Sequence, residues 1–253
     1  MASQALIVVS RSPEDNAARR AFEDAVIARL KQTAAAPVVV VPHVYNLHPS
    51  DAVATRLAEM MQEGGADRTA IVAARLHPRA TRWTLSALGC ADAEKVSAID
   101  LREFESADAC AAALADLSGA AGGEVGGAAT EDLTGDAPAR WYPVLDYDRC
   151  AGCRQCMDFC LFGVFSLDDG GRVRASQPDN CKPGCPACAR VCPAGAIMFP
   201  HYHADPTIAG SDEAAKPDHA RHAAAESGRD GAGGDAGDEL DNLIDALDDL
   251  DDS

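Results

Sequence analysis

The stretch Cys150-Ala-Gly-Cys153-Arg-Gln-Cys156-Met-Asp-Phe-Cys160, answered further along by Cys181-Lys-Pro-Gly-Cys185-Pro-Ala-Cys188-Ala-Arg-Val-Cys192-Pro193, decides how this chain is read. The chain has ten cysteines, and all but Cys90 and Cys110 fall in these two runs. The first thirteen residues lack a basic n-region and a long apolar h-region, so no secretory signal is expected and the cytoplasm is the expected compartment. In a reducing compartment, clustered cysteines point to metal binding rather than to a disulfide framework. Three thiolates so close together can wrap one face of a cuboidal metal–sulfur cluster while a fourth arrives from afar. Zinc is the competing possibility. Tetrahedral all-cysteine zinc sites use separated C-x2-C pairs, whereas each run here holds four cysteines, the third crowded against the second.

With this spacing the chain resembles a bacterial-type two-cluster ferredoxin over roughly residues 141–200. The flanks agree with a small α+β ferredoxin-like domain. Val144 to Tyr147 leads into the first run as a strand would. Val164–Leu167 and Arg172–Ala175 flank Asp168-Asp169-Gly170-Gly171 as a hairpin, and Ala196 to Phe199 reads as a closing strand. Eight of the twelve aromatic residues lie in or beside this segment. The resemblance implies that Cys150, Cys153, Cys156 and Cys192 hold one 4Fe–4S cluster and that Cys181, Cys185, Cys188 and Cys160 hold the second, the fourth cysteine of each run crossing to the other cluster. Two positions depart from the pattern. Leu161 stands where a proline is usual, and three residues, Lys182-Pro183-Gly184, open the second run where two are usual. A Pro-Gly turn can take up the extra residue; otherwise the second cluster is labile or a 3Fe–4S form.

Upstream, short apolar runs alternate with helical periods. Ala5–Ser10, Val38–Val41, Arg68–Ala74 and Val96–Leu101 read as buried strands. Ala17–Lys31, Ser50–Glu63, Arg79–Leu88 and Ser106–Leu117 read as helices. Four βα units in a row predict an α/β domain with a largely parallel sheet over residues 1–117. Residues 118–140, rich in Gly and Ala, read as a linker. The order of residues 5–77 is similar to one half of the sirohydrochlorin/cobalt chelatase family, which implies a chelatase-like fold. Aligned on Ser10-Arg11-Ser12-Pro13, that family's metal-binding histidine falls on Val8. His43, His48 and His77 follow or flank strand ends, where α/β domains place ligands, although loop or capping roles suit them as well. His201 and His203 read as exposed, and Cys90 and Cys110 as buried small hydrophobes.

The net charge is −18, and residues 201–253 carry most of it. No basic stripe exists for nucleic acid or for an anionic membrane surface. No apolar run approaches the roughly 20 residues of a membrane span. Residues 204–237 read as a disordered acidic linker after a ferredoxin unit ending at 203. In residues 238–253, Leu240, Leu243, Ile244, Leu247 and Leu250 form one stripe of an acidic amphipathic helix, suited to docking on a redox partner protein. The expected function is electron transfer by iron–sulfur clusters, with no catalytic residue. The alternative is a tetrapyrrole- or metal-handling, chelatase-like enzyme with accessory clusters.

Overall fold

Apolar β-branched runs have no side to show to water, so they need cover on both faces. The computed structural model, which describes residues 5–13, 16–119, 129–135 and 137–212, gives them that cover. Strands β1 (Ala5–Ser10), β2 (Val38–Val41), β3 (Thr69–Ala74) and β4 (Val96–Asp100) alternate with helices α1 (Ala17–Thr33), α2 (Ala52–Glu63), α3 (Pro78–Ala87) and α4 (Ala107–Leu117). A fifth strand, β5 (Thr130–Asp132), completes a sheet of order β4-β3-β1-β2-β5. Every pairing in it is parallel, with Val8 opposite both Val39 and Val72.

Alternation along the strands divides the core in two. Ile7, Val9, Val38, Val40 and Ile71 face α1 and α4. Leu6, Val8, Val39, Val41 and Val72 face α2, α3 and residues Tyr142, Val144 and Met198 from the cysteine-bearing segment. Helix starts follow local chemistry. The Asn16 side chain accepts from the Arg19 N–H, the Ser106 side chain accepts from the Ala109 N–H, and Pro78 opens α3 where no amide bond is lost. The buried Glu23 carboxylate of α1 accepts from the amide and hydroxyl of Ser12 at 2.9 and 2.6 Å and faces Arg75 at 3.4 Å.

The second half is built from pairs of short elements. Strands β6 (Val144–Leu145) and β9 (Ile197–Met198) are antiparallel, as are β7 (Phe165–Leu167) and β8 (Val173–Ala175). The five-residue helices α5 (Gln155–Phe159) and α6 (Ala187–Val191) pack together, and α7 (Pro206–Ala209) follows β9.

Two boundaries differ from the sequence expectation. Within 118–140, β5 hydrogen-bonds along the open edge of β2 and Leu133 packs on the core, because an unpaired valine strand offers a ready ladder. Beyond 203, α7 buries Ile208, and Gly210 lies against Ala80 of α3. The described residues therefore lie in a single compact unit within Met1–Ala215. The expected docking stripe at 240–250 lies outside the described residues. No helix among them is long and apolar enough to cross a membrane.

Candidate iron–sulfur site

All eight cysteines of the two runs are free thiols. In each run the third cysteine lies in a short helix, Cys156 in α5 and Cys188 in α6, and the fourth follows that helix in an extended conformation. The two runs are thus local repeats of one another. Tight positive-φ turns make this possible: Gly152 (φ 70°) and Arg154 (φ 63°) lie inside the first run, Gly184 (φ 78°) lies inside the second, and Gly195 (φ 56°) follows Cys192. Arg154 is the one non-glycine residue with positive φ among the described residues. A left-handed arginine costs roughly 1–2 kcal/mol, strain of the kind that collects at functional loops. The extra residue of the second run is absorbed in a turn: Cys185 donates its N–H to the Lys182 carbonyl at 3.0 Å across Pro183-Gly184.

The thiols fall into two neighbourhoods. Burial pushes the Cys156 thiol up to about 12, and Cys192, Cys150 and Cys153 add to the rise as like charges. Cys192 is also raised by burial, with Cys153 and Cys150 as its sulfur neighbours. Burial lifts Cys181 to about 11, helped by Cys185 and Cys160. Cys188 rises through burial and then through Cys181, Cys160, Cys156 and Cys185, so it is the bridge between the groups. Four thiolates packed together out of water need positive charge to ionise. One sulfur also receives an amide donor. Ala196 donates its N–H to Cys192 Sγ at 3.3 Å, whereas the Met157 N–H beside Cys156 goes to the Arg154 carbonyl at 2.9 Å. Among the described residues no three His, Cys, Asp or Glu side chains converge on one metal ion. A four-iron cluster asks for something else, one thiolate on each of four irons.

Beside the second group lies an apolar concavity of about 370 Å³ lined by Pro143, Phe159, Leu161, Phe162, Val164 and Phe165 with Cys160, Cys181, Cys185 and Cys188. Phe159, Leu161, Phe162 and Leu167 are four of the five large apolar side chains exposed among the described residues, and Leu161 is 92% exposed.

The histidines occupy separate settings. His43 is buried beside the ring of His201, with centroids 4.8 Å apart. His48 shares a contact with Ser50 at 2.6 Å and lies near Asp179, and His77 precedes the first turn of α3. His203 is exposed as expected, but His201 is not. It packs on Tyr45 and His43, and its Nε2 is enclosed. Its position follows from β9 bringing residue 201 back onto the sheet layer, which no local period announces. Cys90 and Cys110 are buried on opposite sides of the sheet, raised by burial to about 12 and about 11 respectively.

A buried arginine escaped sequence reading altogether. Arg79 of α3, with a side chain 3% exposed, pairs with Asp146, 2% exposed, at 3.3 Å. It also donates to the carbonyl oxygens of Gly195, Thr207 and Gly210 at 3.0, 3.3 and 3.4 Å. Asp146 in turn holds the start of the first run, accepting through its carboxylate from the amides of Asp148 and Arg149 and through its carbonyl from Cys150.

The chain is similar over short stretches to two ferredoxins and to a subunit of pyruvate synthase. It is 41% identical over 61 residues to an uncharacterized ferredoxin of Methanocaldococcus jannaschii, covering 24% of this chain and 41% of that protein. It is 38% identical over 55 residues to pyruvate synthase subunit PorD of the same organism, covering 22% of this chain and 62% of the subunit. It is 33% identical over 66 residues to Ferredoxin-3 of Nostoc sp., covering 19% of this chain and 67% of that protein.

The chain carries a ferredoxin-family segment.

The chain spans only about two fifths of the first of these relatives and three fifths of the second. No family model matches it, and no solved structure does. Each alignment covers about a quarter of the chain at most.

Proposed function

We propose that this protein transfers single electrons through two 4Fe–4S clusters, passing them to or from a redox partner. Cys150, Cys153, Cys156 and Cys192 would hold one cluster, and Cys181, Cys185, Cys188 and Cys160 the other. The observation that supports this reading is the company the buried thiols keep: Cys156 and Cys192 have Cys150 and Cys153 as sulfur neighbours, and Cys181 has Cys185 and Cys160, with Cys153 alone of the eight exposed. The donor set suits the group: soft thiolates, amide donors to sulfur and apolar walls are what iron–sulfur clusters take. When bound, each cluster supplies one-electron chemistry. The chain's own residues supply ligation, the amide hydrogen bond and exclusion of water.

The exposed apolar side chains around the second group offer a face for close approach of a partner, which electron transfer requires. Docking through residues 238–253 belongs to the same proposal, and so does the role of the α/β layer as a partner-binding module. Ten free cysteines suit the reducing cytoplasm. The chelatase-like alternative would draw on His43, His48 or His77, and their separate settings give it no common site.

The test is anaerobic purification with iron and acid-labile sulfide counts and spectra before and after dithionite. Two four-iron clusters give about eight irons and eight sulfides per chain and two reducible paramagnetic centres. Near four irons would point to the altered second run. Bound zinc without sulfide would overturn the proposal.

A further inference from the structure

The Gly195–Ala196 peptide is held at both ends. Its carbonyl oxygen accepts from Arg79 Nη1 at 3.0 Å, and its N–H donates to Cys192 Sγ at 3.3 Å. Gly195, at φ 56°, supplies the left-handed turn that precedes this N–H. The guanidinium comes from α3, in the α/β half of the molecule, and is almost wholly enclosed.

A cation on a peptide's carbonyl draws electron density through the amide and makes its N–H a stronger donor, since hydrogen bonds in series polarise one another. A stronger donor to a ligating sulfur stabilises the more negative, reduced state of a cluster and raises its potential. The direct field of Arg79 is partly cancelled by Asp146 at 3.3 Å and Asp212 at 3.9 Å, so the hydrogen-bonded route through the peptide stands out.

We propose that Arg79 is a positioning residue through which the α/β half raises the reduction potential of the cluster held by Cys150, Cys153, Cys156 and Cys192, acting through the Gly195–Ala196 peptide. This rests on the cluster content proposed above. It gives the fusion a purpose beyond tethering: part of the redox tuning of the ferredoxin segment is supplied from outside it.

The experiment is a redox titration of the full chain followed by paramagnetic resonance, with iron counted in every sample. Arg79→Met should make one centre about tenfold harder to reduce, about 59 mV for a one-electron couple, while the other centre stays in place. Arg79→Lys keeps the charge but loses the planar fork, and should move the same centre part of the way. Asp146→Asn removes the opposing charge and should move that centre in the opposite direction, which simple loosening of the fold would not do. If Arg79→Met does not fold, the Lys and Asn variants decide by their opposite signs. Full iron with unmoved potentials, or both centres moving together, overturns the role of Arg79 and leaves the two-cluster reading standing. A wild-type chain without iron and sulfide overturns both.

Discussion

The Tyr45 hydroxyl engages both backbone groups of Tyr142: it accepts from the Tyr142 N–H at 2.9 Å and donates to the Tyr142 carbonyl. The two rings stack with centroids 4.4 Å apart. One side chain of the sheet layer thus does the work of a neighbouring strand for a residue at the threshold of the ferredoxin segment. Tyr45→Phe keeps the stack but leaves a buried donor and acceptor bare, and each such group costs about 1–3 kcal/mol. A clear fall in the urea midpoint is expected, with the iron count of the folded protein unchanged. An unaltered midpoint would show that water or a neighbour replaces the hydroxyl.

Gly210 makes a second contact of this kind. It adopts φ 108°, and a Cβ there would lie 2.6 Å from Ala80 Cβ. Gly210→Ala should therefore wedge α7 away from α3 and loosen the carbonyls that Arg79 holds. Amides of residues 207–211 should exchange with deuterium at least about tenfold faster, a local opening raised in population by roughly 1.4 kcal/mol or more. Exchange equal to wild type would place the contact outside the cooperative structure.

Acid sensitivity follows from His43 and His201. Burial, and then the neighbouring His201, push the His43 pKa down to about 3; burial and then His203 push His201 to about 4. Both folded values lie below the ordinary value of 6.5, so the unfolded chain binds more protons. Stability is then flat above pH 6.5 and falls as pH drops from 6.5 towards the folded values. For His43 the loss between pH 7 and 5 is about 2 kcal/mol. Thermal midpoints at pH 7 and 5 should converge for His43→Gln relative to wild type. Parallel pH dependences would remove His43 from the acid response.

The crossing of ligands between runs can be counted in iron. Cys160→Ala combined with Cys185→Ala falls within one proposed set and should leave about four irons, one intact cluster. Cys160→Ala combined with Cys153→Ala touches both sets and should leave far fewer. The reverse outcome would assign each run its own cluster.

Much of this was readable in the chain. Ala5–Ser10 and Val38–Val41 form strands with the expected ends, because short β-branched runs bounded by turn residues have few other ways to be buried. The hairpin at 165–175 and the Pro183-Gly184 turn were legible for the same local reason. What could not be read depends on partners far away in sequence. Thr130–Asp132 is a strand only because β2 offers it an edge. Arg79 looks like one more helix-surface arginine until Asp146 and Gly195 are brought beneath it. The enclosure of His201 depends on the same docking.

Strand β5 has a bearing on how this protein can be made and cut. The edge of β2 is four consecutive valines, and it stays bare until residues 130–132 leave the ribosome. A product ending at the Gly-rich stretch would display that edge to its own copies, the situation from which cross-chain β assembly grows. The two halves are thus poor cassettes when divided at residue 118; a shorter version meant to stay in solution should keep the chain through Leu133.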